Sequence, residues 1–523
     1  MPSQTPATFL RWPVAEEAPG VGAVRRVALA ILPLALLLLW TAAIRLPFYR
    51  LANNDEFFFS IIAGEWLKGG LPYVATFDIK PPGLFFIYAA VESLFGASQA
   101  TIKAMEIVAT TAGAYGLFRL VKANGTPRAA FAVAALFPVY SIPLGGVGAV
   151  NMLLELPFVI AAFGAALTAV REPMRRHNRL SFAFLAGLAI GAAGMVRQPA
   201  IFEAAAVFVV LCLYGTERLR LTALSVAGAA LPGAVFAVYF LAAGHFHEMF
   251  QAVIRLALNR SSDDVIAGYG PLVAHLFTPL GMAQNTLLRS APLIVLWVGA
   301  WLAVRHVARL KAVIPPRLLV VAGLWLIASL AGVFASSAFC DYYLLSVVPP
   351  LLILAGAFFA HGLELAPPLR TPAFVLSLVV AAATVVIVDR GDLFSPNALV
   401  TEDFEGTREL ANKLTALGLA PEDRLFVLDR GFGVYARTGA MPPLPYFHPV
   451  HLLTVFHTPS PDPLGEALAS NPRFIIVSDL GLRRLNELAS RYEQALAYVA
   501  AHYRPAAVVA GPKDSFTIYE FAS

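Results

Sequence analysis

The chain has 523 residues, of which 58% are hydrophobic and only 14% are charged. A soluble domain carries about 25% charged residues, so these proportions, with a mean hydropathy of +0.70, exclude a wholly soluble protein and place most of the chain in lipid. The net charge is +5; in a membrane protein such an excess marks cytoplasmic loops, and no basic run interleaved with exposed aromatics is present, so nucleic acid is excluded as a partner.

Residues 1–26, with four prolines and Arg11, Arg25 and Arg26, read as a disordered cytoplasmic tail. Arg25-Arg26 ahead of an apolar run that reaches Ile44 is also the pattern of a signal peptide. The run is about 18 residues long, enough to span, and many similar runs follow, so an uncleaved anchor is expected. Apolar runs lie at 27–45, 100–121, 128–145, 151–170, 180–196, 199–214, 221–243, 290–308, 318–336, 342–360 and 371–388. The run at 82–96 is short and contains Glu92, so it is expected to lie in or dip into the interface.

Charge supports that choice. With 82–96 not crossing, Arg119/Lys122/Arg128, Arg171/Arg175/Arg176/Arg179, Arg218/Arg220, Arg305/Arg309/Lys311/Arg317 and Arg370 share one side with Arg25 and Arg26. That is the positive-inside pattern. The outer face then receives the 46–99 loop, the Arg197-Gln198-Pro199 break, the 244–289 loop and everything after 389. Gly187, Gly191 and Gly194 are spaced for close helix contact. Cys212, inside a span, and Cys340, in a short loop, predict neither a disulfide nor a metal site.

The first outer loop gathers the chemistry. Asp55 and Glu56 open a predicted amphipathic helix that Gly69-Gly70 ends, and Asp78 and Lys80 precede a rigid Pro81-Pro82-Gly83. Acids near a helix start also serve as caps, but a carboxylate at an apolar boundary suits a general base. Lys80 and Arg197 are the cations expected on an anion; Arg197 interrupts an apolar stretch and either faces a cavity or snorkels to the headgroups. Asn151 and Glu155 enter the fourth span one turn apart, to line the cavity or to bond neighbouring helices. Tyr342 and Tyr343, after Asp341, read as belt residues or as a surface for stacking a sugar. In the later loop, Arg255, Asn259, Arg260, Asp263 and Asp264 form a polar cluster behind His245 and His247, without metal-ligand spacing.

From about Asp389 charge rises and short apolar runs alternate with helical patterns: helix over Thr407–Leu417, strands over Arg424–Leu428 and Arg473–Val477, helix over Leu482–Ala501, then strands over Ala506–Val509 and Phe516–Glu520. Gly431-Phe432-Gly433 reads as a tight turn. The predicted fold is a polytopic α-helical membrane protein of about 11 transmembrane helices, with interfacial helices in the first outer loop and a C-terminal α/β extracytoplasmic domain. Its parts are a tail to 26, a membrane domain over 27–388 and a periplasmic domain over 389–523.

Asp55-Glu56, then Glu65 to Tyr73 as ExLxxGxPY, then Phe77 to Gly83 as FDxKPPG, resemble the first outer loop of polyprenyl-phosphate-sugar-dependent membrane glycosyltransferases of the C-type superfamily. That group includes protein O-mannosyltransferases, lipid A aminoarabinose transferases and lipopolysaccharide-core galacturonosyltransferases. Asp341–Ala357 is similar to a later span of the group that often opens with histidine, and Lys103 stands where arginine is common. The resemblance implies an inverting transfer of one sugar from a polyprenyl phosphate to an extracytoplasmic glycan, lipid or protein acceptor, in a bacterial inner membrane. It implies Asp55 as general base, with Glu56 and Asp78 orienting the acceptor or a metal. No cofactor is required by the pattern, and a divalent cation is left open. Outside the enzymes, a membrane transporter or a non-catalytic scaffold for polysaccharide assembly are the alternatives; a transporter would carry an inverted repeat and midplane acids, neither of which is seen.

Overall fold

The computed structural model describes residues 21–48, 51–258, 293–311, 314–335, 341–365, 367–389, 401–428, 430–448, 452, 459–479, 490–511 and 515–522. The predicted Asn259, Arg260, Asp263 and Asp264, and Cys340, lie outside the described residues.

Each apolar run carries a helix: α1 (Val21–Arg45), α4 (Gln99–Asn124), α5 (Pro127–Tyr140), α6 (Asn151–Ala169), α7 (Arg176–Val196), α8 (Ala200–Tyr214), α9 (Arg218–Ala242), then Ile294–Arg305, Pro316–Ala335, Val348–His361 and Pro367–Asp389. Among the described residues, six stretches, within α6, α7, α9 and over Pro316–Ala335, Tyr342–His361 and Pro367–Thr384, are long and apolar enough to cross a membrane. Helix α4 is long but carries buried Lys103 and Glu106, which pair with each other at 2.6 Å. The segment between α1 and α4 supplies α2 (Asn54–Leu67) and α3 (Pro82–Phe95), and the segment after α9 opens with α10 (Phe246–Phe250), which runs on as a π-helix over Gln251–Leu256.

Local chemistry sets the helix starts. Ser98 Oγ accepts the Thr101 amide at the head of α4, and Thr126 Oγ1 accepts that of Ala129 at the head of α5. Pro82 stands in the first turn of α3, where its missing N–H costs nothing. Gly187 and Gly191 let α7 meet α9 backbone to backbone: a Cβ on Gly187 would lie 1.8 Å from the Ser225 carbonyl oxygen. Gly194, expected to pack in the same way, has nothing within 4 Å of its Cβ position.

Beyond the membrane helices, a four-stranded sheet has the order β3-β4-β6-β5. Strand β3 (Leu425–Val427) runs parallel to β4 (Phe474–Ser478); β6 (Ser515–Phe521) is antiparallel to both β4 and β5 (Tyr503–Ala510). Helices Phe404–Ala416 and Ser490–His502 accompany it. A second, two-stranded sheet pairs β1 (Leu51–Asn53) with β2 (Thr401–Asp403), with Ala52 opposite Glu402.

One apolar core runs from α2 and α3 through Phe77 into this sheet, including Phe426, Ile475 and Ile518. Here the structure corrects the sequence reading of α2. Positions 56 to 63 are all buried, so the first turns are apolar-packed all round rather than amphipathic. One face meets α3 through Phe59 and Tyr88, 5.7 Å between ring centroids. Another meets the C-terminal region, where Phe58 lies 4.7 Å from Phe432 and 3.9 Å from the His448 ring. Gly431-Phe432-Gly433 is thus a tight turn, with Gly431 at φ 100°, that delivers an aromatic ring onto α2.

Candidate active site

The site is built where α2 begins. Asp55 is half-buried, and its Oδ2 accepts a hydrogen bond from the Tyr342 hydroxyl at 2.8 Å. Tyr342 belongs to the 3-10 turn Asp341–Val347 that leads into the helix Val348–His361, and its ring stands at 90° to that of Tyr343, 5.1 Å away. Glu56, 2% exposed, faces elsewhere: its Oε2 accepts the Ala149 amide at 2.9 Å, while the Ala149 carbonyl accepts the Tyr88 hydroxyl at 2.8 Å. Neighbouring carboxylates on one helix therefore have different duties. Asp55 reaches the buried Tyr342 phenol, and Glu56 fastens the segment that enters α6.

That segment is held from behind by a buried ionic group. Arg45, fully buried, donates Nη1 to Glu106 Oε1 at 2.8 Å and Nη2 to the Pro138 carbonyl at 2.9 Å, and also bonds Ser141 Oγ and the Gly146 carbonyl. Lys103 bridges Glu106 and the Val147 carbonyl. The chain from 138 to 149 is in this way pinned to α1, α4 and α2.

Lys80 sits in a turn whose backbone is fully engaged. Asp78 Oδ1 accepts the Lys80 amide at 3.0 Å, and the Lys80 carbonyl accepts the Tyr73 hydroxyl at 2.7 Å. Burial, then the nearby Asp78 carboxylate, pushes the Tyr73 phenol well above its ordinary range, so it remains a donor. Tyr73 itself lies at φ 71°, a left-handed conformation that costs a non-glycine residue about 1 kcal/mol or more. Gly83 seats the loop on the end of α7: a Cβ there would lie 2.6 Å from the Met195 carbonyl oxygen.

Arg197, 3% exposed, does not snorkel to a surface. It grips Glu155 with Nε on Oε2 and Nη2 on Oε1, the latter at 3.3 Å. Glu203 and Tyr343 act on the same guanidinium electrostatically, and Glu203 Oε1 accepts the Ser329 hydroxyl at 3.0 Å. Its Nη1 has no hydrogen-bond partner among the described residues. Of the sequence-predicted pair on α6, Glu155 thus bonds a neighbouring helix, while Asn151 Oδ1 accepts the adjacent Met152 amide. Arg255 is exposed on the π-helical turn. His245 contacts Glu248 and His247 contacts Gln251, and among the described residues no group of three or more His, Cys, Asp or Glu could hold a metal.

The predicted residues fall into a connected series. Asp55 bonds Tyr342; Tyr343 neighbours it and acts on Arg197; the next residue, Gln198, bonds the Ile79 carbonyl beside Lys80. Next to this series is an apolar cavity of about 890 Å³, whose wall includes Gly83, Val196, Phe86, Phe158, Phe236 and Tyr239.

Residues 79–242 match the family of dolichyl-phosphate-mannose-protein mannosyltransferases. Among solved structures, ArnT from Cupriavidus metallidurans in the apo state has a TM-score of 0.58 at 15% identity, over 95% of this chain and 98% of that one. The same protein bound to undecaprenyl phosphate has a TM-score of 0.55 at 16% identity, over 97% and 99%. The oligosaccharyltransferase AglB from Archaeoglobus fulgidus, in complex with an inhibitory peptide and a dolichol-phosphate, has a TM-score of 0.54 at 13% identity, over 95% and 75%. The chain has the fold of the C-type membrane glycosyltransferases. No curated protein matches the sequence significantly.

Within that fold, several site residues escaped the sequence reading. Gln198 was visible only as part of a helix break, and Tyr73 only as part of a motif. Glu203 and Glu106 sit inside apolar helices as single acids, and an unpaired acid in such a run was the available signal, since lipid admits an ionised group only with a partner. Glu92 is another: it is 4% exposed and its Oε1 accepts the Ser60 hydroxyl at 2.6 Å.

Proposed function

We propose that the chain is an inverting glycosyltransferase that moves a single sugar from a polyprenyl-phosphate-linked donor to an acceptor hydroxyl on the extracytoplasmic face of a bacterial inner membrane. The observation that carries this reading is the half-buried Asp55 carboxylate bonded to Tyr342 at 2.8 Å at the head of α2. A carboxylate so placed, accepting from a neutral phenol, can take a proton, while Arg197 pairs with Glu155.

In the reaction, Asp55 accepts the proton of the acceptor hydroxyl as its oxygen bonds to the anomeric carbon. The bond from that carbon to the lipid phosphate oxygen breaks, and the phosphate departs with the electron pair. One displacement inverts the anomeric centre. Charge gathers on the leaving phosphate, where a fixed cation in a low-dielectric site is worth several kcal/mol, roughly 2.7–4 for a comparable lost donor. Lys80, oriented by Asp78 and Tyr73, is the residue for that role, with Arg255 as a further cation and Tyr342 and Tyr343 against the sugar. The apolar cavity beside Gly83 suits a lipid-borne substrate. Glycan, lipid and protein acceptors all carry the necessary hydroxyl.

The deciding assay is transfer from a labelled polyprenyl-phospho-sugar. Asp55→Asn is expected to lower it at least a hundred-fold, the smaller end of what a general base contributes. Undiminished transfer would remove Asp55 from the chemistry.

A further inference from the structure

The break between α7 and α8 is a three-residue turn, with the Arg197 carbonyl accepting the Ala200 amide and the Gln198 carbonyl accepting that of Ile201. Arg197 is anchored on Glu155, and the half-buried Gln198 side chain turns to other partners. Its Nε2 donates to the Ile79 carbonyl at 2.6 Å and to the Val253 carbonyl at 3.2 Å. A carboxamide nitrogen has two hydrogens, and both neighbours are carbonyls that only accept, so the orientation of the amide is fixed by its partners.

Ile79 immediately precedes Lys80, and Val253 stands two residues before Arg255. One side chain thus joins two cation-bearing segments that come from different outer loops and are otherwise far apart in sequence. Local bonds shape each segment, but none of the bonds within one segment fixes its distance from the other. The 77–81 stretch is a loop held by an Asx-type turn, and 251–256 is a π-helical turn, a rare form that occurs frequently at functional sites.

We infer that Gln198 is a positioning residue that sets the separation of Lys80 and Arg255 for a lipid-linked phosphate. The inference rests on the donor-phosphate reading given above for Lys80. With the bridge in place, the backbone beside Lys80 and the backbone two residues before Arg255 are tied to one amide nitrogen; without it, the two segments move independently and the separation of their cations is no longer set. Gln198 touches no reacting atom, so its effect is confined to phosphate recognition.

The test uses the full-length protein in nanodiscs, with undecaprenyl phosphate as the probe, and compares Gln198→Met, Gln198→Asn and Lys80→Ala. Methionine keeps the size and loses both donors; asparagine keeps the amide on a side chain one methylene shorter. Gln198→Met is expected to weaken undecaprenyl phosphate binding about ten-fold, near one net hydrogen bond, and Gln198→Asn to weaken it less. Adding Lys80→Ala to Gln198→Met should cost less than Lys80→Ala does alone, because the two act through one contact. Amide exchange should quicken in both 77–81 and 251–256 while the melting temperature of Gln198→Asn stays close to that of the parent. Unchanged exchange in either segment, or full binding by both Gln198 variants where Lys80→Ala is weakened, overturns the inference. If Lys80→Ala itself binds normally, the donor reading of Lys80 falls, and with it the role of Gln198 toward phosphate; exchange then shows only whether the bridge exists.

Discussion

The Tyr342 hydroxyl and Asp55 Oδ2 are 2.8 Å apart although 287 positions separate them in the chain. The contact joins the start of α2 to the entrance of the helix Val348–His361, and it fixes the carboxylate through a donor that carries no charge. Tyr342→Phe keeps the ring and deletes the donor. Transfer from a labelled polyprenyl-phospho-sugar is expected to fall about ten-fold or more, since a hydrogen bond to a charged group is worth roughly 1.5–3 kcal/mol. Wild-type rates in Tyr342→Phe would show that the phenol does not orient Asp55.

Arg197 has two carboxylates around it, Glu155 in direct contact and Glu203 acting electrostatically. Removing the cation leaves two buried acids facing each other, whereas removing Glu155 leaves Arg197 with Glu203. Arg197→Ala should therefore destabilise by about 3–5 kcal/mol, the cost of an uncompensated buried charge, and Glu155→Gln by less. Melting in detergent checks the order. Arg197→Lys should also lose stability, because an ammonium cannot reproduce the two-pronged contact.

The C-terminal region is fastened to the site by aromatic packing. Phe432, 1% exposed, abuts Phe58, and the Pro445 carbonyl accepts the Phe77 amide at 3.0 Å. Phe432→Ala removes a buried ring at about 3–5 kcal/mol. The expected outcome is faster proteolytic release of the segment after 401 and weakened transfer, with the helical circular-dichroism signal of the membrane region retained. A variant as protease-resistant as the parent would show that the docking does not depend on this ring.

Acid acts on the same region through Asp423. The Ala420 amide donates to its Oδ2 at 2.9 Å and Arg473 at 2.7 Å, and these bonds hold the carboxyl below its ordinary range. A depressed folded-state value means that the unfolded chain binds the proton first as pH falls. The contribution is then full above about pH 4 and is lost as pH drops through the folded value. Asp423→Asn should flatten stability below about pH 4 and leave the neutral-pH slope unchanged, as read by melting across a pH series. The group is largely solvated, so the effect is small.

Composition determined that the chain lives in a membrane, because long apolar runs are costly to solvate. The runs themselves located the helices: each of the stretches read from hydropathy carries one. The Asp55-to-Gly83 motif pointed to the chemistry because its residues are close in sequence.

Tertiary structure decided the partners. No spacing rule ties Asp55 to Tyr342, Arg197 to Glu155, or Gln198 to the carbonyls of Ile79 and Val253. Those contacts arise because buried polar groups must find partners wherever packing brings them. For the same reason the amphipathic expectation for α2 failed: hydrophobic periodicity reports how many faces a helix can bury, and here α3 on one side and Phe432 on the other cover faces that the local sequence would have left to water.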